Sequence, residues 1–380
     1  MMYQQATTQS APENPGMAFY LALFVGSLLL ALLLTPLVRR IALKSEIVDA
    51  PGLRKIHSSP VPLLGGVAIY LAFTLVLLGL TSWILPFYFS QLVAILFGAT
   101  LMSITGFLDD KYGLSPLVKL LAQLGVGLWL IISGVQIEVF RVPAINVLIT
   151  LLWVVAITNA MNFLDNMDGL SGGVSVIAAA FFFLSAYQSG QWLVGALGAT
   201  LAGASAGFVY HNFGIFSQKS PHQIFMGDSG SLFMGFLLAA CGIKLRFPNT
   251  DFVTWMVPVL ILGVPLFDIT LVTLSRLRRR LPIMRGGKDH TSHRLVVLGL
   301  SNREAVLVIW MASGALGVAA LVIMGASVRD GYVVGGVVAA LAGWAVLRLE
   351  HVPLVNTNPA VKGSGKGLKN NAETPKPKIK

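Results

Sequence analysis

Eleven stretches of this 380-residue chain are apolar over roughly the length needed to cross a bilayer, and that pattern restricts the fold more than any other feature. They fall at roughly 17–38, 64–82, 91–108, 116–134, 145–162, 170–187, 192–210, 229–245, 252–275, 303–326 and 331–349. The expected fold is therefore all-α, a polytopic integral membrane protein with about eleven transmembrane helices. Composition agrees: 55% of residues are hydrophobic and 11% charged, where soluble domains carry about a quarter charged residues. No lysine or arginine precedes the first run, and Arg39 and Arg40 follow it, which marks an anchor rather than a cleaved signal.

The net charge of +11 could indicate nucleic acid, but in a polytopic protein it usually reflects basic residues held in cytoplasmic loops. Placing the N-terminus outside puts 23 of the 27 lysines and arginines inside. Six of those lie in the long C-terminal tail; without them the bias is 17 against 4, with only Arg141, Lys244, Arg246 and Arg329 outside. Trp83, Trp192 and Trp255 then fall near outer helix ends, where interfacial aromatics belong. The expected topology is N-terminus out and C-terminus cytoplasmic, with no nucleic-acid partner. The domain plan is a short outer tail (1–16), one membrane domain (17–350) and a disordered basic cytoplasmic tail (351–380) suited to anionic lipid. The single cysteine, Cys241, cannot make an internal disulfide, and no Cys/His cluster has zinc spacing.

The acidic residues gather on the inner side. Asp109 and Asp110 end the third run, Asp165 and Asp168 end the fifth, and Asp228 opens the eighth. Asn159, Asn162, Asp165 and Asp168 step by three, which on a helix places them along one drifting face. Carboxylates joined by amide oxygens suit Mg²⁺, which is commonly shared with substrate phosphates. Plainer readings exist: a solvated helix end for Asp109 and Asp110, and an N-cap for Asp228. Glycines beside Asp228, in Met226-Gly227-Asp228-Ser229-Gly230-Ser231, favour close approach of a ligand. Asn162, Asp165 and Asp168, clustered at the membrane boundary, point to function. Asp268 lies within an apolar span and must face a partner or cavity; pairing with a basic residue and catalysis fit equally.

Arg276 to Arg294 holds seven basic residues; topology alone accounts for the Arg276–Arg280 cluster. His290 and His293, beside Asp289 and Arg294, suit a pyrophosphate or nucleotide. The early inner loop, with Arg54, Lys55 and His57 followed by Pro60, Pro62 and Gly65-Gly66, is too ordered in composition for a mere linker.

Five segments together resemble the polyprenyl-phosphate N-acetylhexosamine-1-phosphate transferases, the family of MraY, WecA and TagO. They are DAPGLRKIHSSPVPLLGG from Asp49, GFLDD ending at Asp110, NAMNFLDNMDGLSGG from Asn159, FMGDSGS from Phe225 and DHTSHRL from Asp289. The first-loop pattern is similar to the WecA/TagO branch, which uses UDP-N-acetylglucosamine. One departure stands out: where that branch often has His-x-His-His, this chain has His290-Thr291-Ser292-His293.

The resemblance implies a bacterial plasma-membrane enzyme with its active site on the cytoplasmic face. A polyprenyl phosphate attacks the sugar-bearing phosphorus of a UDP-N-acetylhexosamine, giving polyprenyl-diphospho-sugar and UMP. Its cofactor is Mg²⁺, with Mn²⁺ as a substitute. By motif, Asp228 is the metal ligand, and Asp109, Asp110, Asp168 and His290 are catalytic. Lys55, His57, Asn162, Asp165, His293 and Arg294 bind substrate. The partners are the donor, the polyprenyl phosphate, the bilayer and, as a further option, a second copy in a homodimer. Two rivals remain: a phospho-MurNAc-pentapeptide transferase of the same family, and a polytopic transporter, which would place polar residues near the midplane and show related halves.

Overall fold

In a computed structural model, residues 15–49, 61–80, 85–214, 224–246, 253–282 and 287–353 are described. Each of the eleven apolar runs contains helix. In chain order the elements are α1 (Gly16–Lys44), β1 (Val48–Asp49), β2 (Val61–Pro62), α2 (Gly65–Leu80), α3 (Leu85–Tyr112), α4 (Pro116–Ile132), α5 (Pro143–Leu164), α6 (Leu170–Gln188), α7 (Trp192–Val209), α8 (Asp228–Lys244), α9 (Met256–Ile261), α10 (Gly263–Arg278), α11 (Thr291–Val297), α12 (Asn302–Gly325) and α13 (Val328–Glu350). Among the described residues, seven helices are long and apolar enough to cross a membrane, and α2 and α4 are shorter apolar helices. The molecule is an all-α, multi-pass membrane protein.

The middle of the bundle is formed by α7 and α8. The span from Trp192 to Gly214 is 94% buried, against 6% for α13 at the periphery. The glycines, alanines and serines of α7 let α1 lie directly on it: a Cβ at Gly203 would stand 2.1 Å from the Phe24 carbonyl oxygen. On its other side α7 packs on α6, and α8 is held between α3 and α5. Phe73, Phe233 and Phe236 fill the space among α2, α3 and α8.

Two expectations are corrected: the single span at 252–275 and the interfacial place of Trp192. The run at 252–275 is two helices, α9 and α10, meeting at Leu262. Pro265 has no N–H to give the Ile261 carbonyl, so the ladder breaks there. The 276–302 loop contains an additional helix, α11, and the first loop is closed at its base by the two-residue ladder of β1 and β2. Trp192 is only 8% exposed, so it is a core residue rather than an interfacial one, whereas Trp255 is exposed. Trp83 and the tail beyond residue 353 lie outside the described residues.

Candidate active site

At one end of the bundle the C-terminus of α3, the C-terminus of α5 and the N-terminus of α8 converge. Glycine makes this approach feasible. A Cβ at Gly106 of α3 would lie 2.2 Å from the Asp228 carbonyl oxygen, and one at Gly66 of α2 would lie 2.0 Å from the Gly230 nitrogen. The strand-like segment 224–226 is fastened to the base of the first loop. Phe225 N–H donates to the Pro62 carbonyl (2.8 Å), and Gly65 and Gly66 donate to Phe225 (2.9 Å) and Met226 (2.8 Å).

Gly227 then turns the chain into α8 with φ +73°, and Asp228 is the first helical residue. The plainer reading of Asp228 as an N-cap is not met: its side chain makes no cap hydrogen bond. Asp110 serves instead from α3: its Oδ1 accepts the Asp228 N–H at 2.7 Å and its Oδ2 the Ser229 N–H at 3.1 Å. A carboxylate here satisfies two orphan donors and complements the helix dipole.

The Asp228 side chain is thereby left for other partners. Its Oδ1 accepts Asn162 Nδ2 at 2.9 Å, and Asn162 also donates to Ser231 Oγ. Its Oδ2 lies 2.9 Å from Lys119 Nζ, and the same ammonium donates to Asp109 Oδ2 at 2.7 Å. Asp109 Oδ1 accepts the Leu114 N–H at 2.6 Å. Asp109, Lys119, Asp228 and Asn162 thus form one connected polar cluster drawn from α3, α4, α8 and α5. Lys119 was not singled out from sequence, although a lone lysine inside the apolar α4 run was a usable signal.

The three-residue stepping of Asn159, Asn162, Asp165 and Asp168 does not continue as a helix. α5 ends at Leu164, and Asp165 to Gly169 form a turn that closes with Gly169 at φ +77°. Asn159 is spent on Gln123 (2.6 Å), deeper in the bundle. Asp165 accepts Ser171 Oγ at 2.6 Å. Its burial, with the charges of Asp228 and Asp168 nearby, raises its pKa to about 7 despite the Ser171 hydrogen bond. Asp168 occupies the same turn and is half-buried, with interactions of its own. The turn is held by Asn212, which accepts the Gly169 N–H and donates to the Ile224 carbonyl.

His290 precedes α11 and His293 lies in its first turn, ring centroids 6.1 Å apart, and His290 meets Phe163 of α5 edge-on. His293 has its pKa lowered to about 4, mainly by burial, with the basic neighbours His290 and Lys288 adding to it. It is a neutral hydrogen-bonding group at physiological pH. Asp268 does face a basic partner: its Oδ2 is 2.8 Å from His290 Nδ1. Ser292 Oγ donates to Asn166 Oδ1 at 2.5 Å, tying α11 to the 165–169 turn.

Two basic residues depart from expectation. Arg294 is 1% exposed, and its nitrogens donate to the Asp289 carbonyl, the Leu349 carbonyl, Ser275 Oγ and Glu350. Its guanidinium is committed to the protein, so its structural placement replaces the expected substrate contact. Arg276, read as a topology signal, is buried in a two-bond pair with Asp289, both at 2.7 Å. Lys55 and His57 lie outside the described residues.

Among the described residues no group of three or more His, Cys, Asp or Glu side chains is placed to hold a metal. The donor set still fits Mg²⁺, which keeps several waters and needs only one or two carboxylates when phosphates complete its shell. Asp228 and Asp109 converge on a single cation, and the Asp228 side chain is 27% exposed.

Comparison with known proteins decides the affiliation. Residues 92–246, which contain this whole cluster, match the family model described as glycosyl transferase family 4. A Bacillus subtilis protein named as a probable undecaprenyl-phosphate N-acetylglucosaminyl 1-phosphate transferase is 36% identical over 317 residues, covering 80% of this chain and 85% of that protein. The chain belongs to the polyprenyl-phosphate N-acetylhexosamine-1-phosphate transferase family. The Mycobacterium tuberculosis decaprenyl-phosphate N-acetylglucosaminephosphotransferase is 31% identical over 347 residues, covering 82% of this chain and 84% of its own. The Escherichia coli K12 undecaprenyl-phosphate alpha-N-acetylglucosaminyl 1-phosphate transferase is 26% identical over 289 residues, 73% of this chain and 77% of its own.

Proposed function

We propose that this protein transfers N-acetylglucosamine-1-phosphate from UDP-N-acetylglucosamine to a polyprenyl phosphate in the bacterial plasma membrane, releasing UMP. The observation that carries this reading is the Asp109–Lys119–Asp228–Asn162 cluster, gathered from four helices at one end of an apolar bundle. A lipid phosphate arriving from the bilayer and a soluble nucleotide can meet only at such a boundary. The names of the relatives support the choice of amino sugar and acceptor.

The reaction joins two anions, so reducing their repulsion and aligning them is the main task. Asp228 would hold Mg²⁺ with Asp109 beside it, and the ion would supply positive charge to the diphosphate of the donor. Lys119 adds a fixed cation between the two carboxylates. Asn162 orients Asp228, and Asp110 holds the start of α8 so that Asp228 faces the cluster. Asp165 and Asp168 in the turn after α5, with His290 and His293 on the facing loop, line the donor cleft. Asp109 need not act as a base, because a phosphate monoester with its second pKa near 6 is already mostly ionised. Its bonds to Lys119 and to the Leu114 N–H give it a holding role.

The same reading places eleven spans, the N-terminus outside and the cluster on the cytoplasmic face, on the strength of the basic-residue bias of 17 to 4. Reporter tags at the 276–302 loop and the C-terminus should both read cytoplasmic. The function is tested by UMP release from UDP-N-acetylglucosamine in membranes containing the protein. Release is expected only when Mg²⁺ and a polyprenyl phosphate are both present; release without the lipid phosphate, or none with both, contradicts the proposal.

A further inference from the structure

We infer that Asp268 is a positioning residue for this transfer, fixing the ring of His290 and so the nitrogen that His290 presents to the donor. The inference rests on the reading above that His290 acts on substrate.

Asp268 lies within α10 and is 1% exposed. A carboxylate inside an apolar span persists only when its oxygens are satisfied. Both are used by the loop that carries His290. Oδ2 lies 2.8 Å from His290 Nδ1, and Oδ1 accepts the Thr291 N–H at 2.7 Å. An ionised carboxylate only accepts, so the His290 Nδ1 carries the hydrogen and Nε2 is the nitrogen left for other work. One acidic side chain therefore sets both the path of the backbone into α11 and the orientation of the imidazole.

The ring has an aromatic neighbour as well. It meets Phe163 edge-on at 6.1 Å, and Phe163 follows Asn162, which holds Asp228 at 2.9 Å. The Arg276 guanidinium lies over the Phe163 ring, 5.9 Å from its centroid. The neighbouring acid, Asp289, is occupied by both of its bonds to Arg276 and does not compete for the imidazole. Among the described residues Asp268 is the carboxylate hydrogen-bonded to His290. With both oxygens taken by the His290 ring and the Thr291 N–H, it acts through His290 rather than on substrate directly. Carboxylates that fix a catalytic or ligating histidine work the same way.

Asp268→Asn separates this role from a purely structural one. Its amide oxygen can still accept the Thr291 N–H, while its NH₂ group faces His290 Nδ1 and forces that nitrogen to accept. The ring proton then moves to Nε2. His290→Asn is the companion variant, since its amide keeps a donor toward Asp268.

The experiment combines ¹⁵N-histidine NMR of the detergent-solubilised protein with a double-mutant cycle on transfer rate and melting temperature. The His290 signal is assigned by its loss in His290→Asn. In the unmodified protein it should show hydrogen on Nδ1, and in Asp268→Asn the neutral ring should carry it on Nε2. Asp268→Asn should lower kcat by at least about a hundredfold while melting close to the unmodified protein. In the His290→Asn background it should lower kcat no further. A neutral Nε2–H ring in the unmodified protein overturns the inference. So does an equal loss on adding Asp268→Asn to either background, or a collapse in melting temperature that His290→Asn does not share. Absence of any transfer by the unmodified protein would instead contradict the proposed function, and the tautomer measurement would still decide the Asp268–His290 relationship.

Discussion

Asp110 caps the helix that Asp228 begins, accepting the Asp228 N–H at 2.7 Å and the Ser229 N–H at 3.1 Å. Adjacent in sequence to Asp109, it nevertheless has a different task. Gly227 leaves room for this arrangement, because a Cβ there would stand 2.5 Å from Asp110 Oδ2. Two acids that look equivalent at the end of α3 are thus divided between holding a helix and facing the polar cluster.

That division predicts unequal behaviour from two substitutions at Asp110. Asp110→Asn keeps an oxygen for one of the two N–H groups and should retain a measurable fraction of activity. Asp110→Ala removes the cap, costing about 0.5–2 kcal/mol, and should lose activity along with melting temperature. Equal and complete inactivation of both variants at unchanged stability would show a chemical role for Asp110 instead.

Lys119 is the cation shared by Asp109 and Asp228, at 2.7 and 2.9 Å. Lys119→Met leaves the two carboxylates facing each other without it. Turnover should fall by about tenfold or more, as expected on losing a fixed charge beside a developing one. The variant should also melt lower than the unmodified protein without Mg²⁺ and recover when Mg²⁺ is added. A Mg²⁺-independent melting temperature equal to that of the unmodified protein would contradict the shared-cation account.

His293 has its pKa lowered to about 4, against about 6.5 for an unfolded histidine. As pH falls below about 6.5 the unfolded chain takes up a proton that the native state resists. The stability contributed by keeping His293 neutral is therefore complete above that value and is lost as pH falls toward about 4. Melting curves from pH 7 to 4 should fall less steeply for His293→Gln than for the unmodified protein. Identical slopes would mean that His293 titrates normally.

Arg276→Met should destabilise more than any surface arginine substitution, by about 3–5 kcal/mol, because it strands the buried Asp289 carboxylate. Denaturant unfolding in detergent measures this, with Arg278→Met as the exposed control. Similar midpoints for the two variants would place Arg276 among the merely topological arginines after all.

How much of this was legible depends on the range of the interaction. Helical runs such as 17–38 and 170–187 announce themselves because bilayer thickness imposes a length and a hydropathy on each locally. The motif residues Asn162, Asp109 and Asp228 were recognisable by type and spacing, and the structure brings them together. The break at Leu262 is written in Pro265 but was masked because the apolar residues run on from α9 into the first turn of α10. The role of Asp110 was invisible because its partner N–H groups are 118 and 119 residues away. Arg294 misled for a related reason: guanidinium groups suit phosphates, but its acceptors Leu349 and Glu350 come from α13, far along the chain. Asp165 failed as a helical position because α5 ends at Leu164 and the backbone leaves helical geometry at Asp165 itself, with ψ 55°.

The central claim is that the cluster around Asp228 performs Mg²⁺-assisted phosphoryl transfer, and Asp228→Asn tests it most directly. The substitution is nearly isosteric, and Asp228 caps no helix with its side chain, so the fold should persist. What it removes is the negative charge available to a hard cation. UMP release from UDP-N-acetylglucosamine, measured across a Mg²⁺ titration alongside the melting temperature, should fall by orders of magnitude in a protein that melts normally. Near-normal release at ordinary Mg²⁺ would contradict the assignment and move the metal to another carboxylate of the cluster.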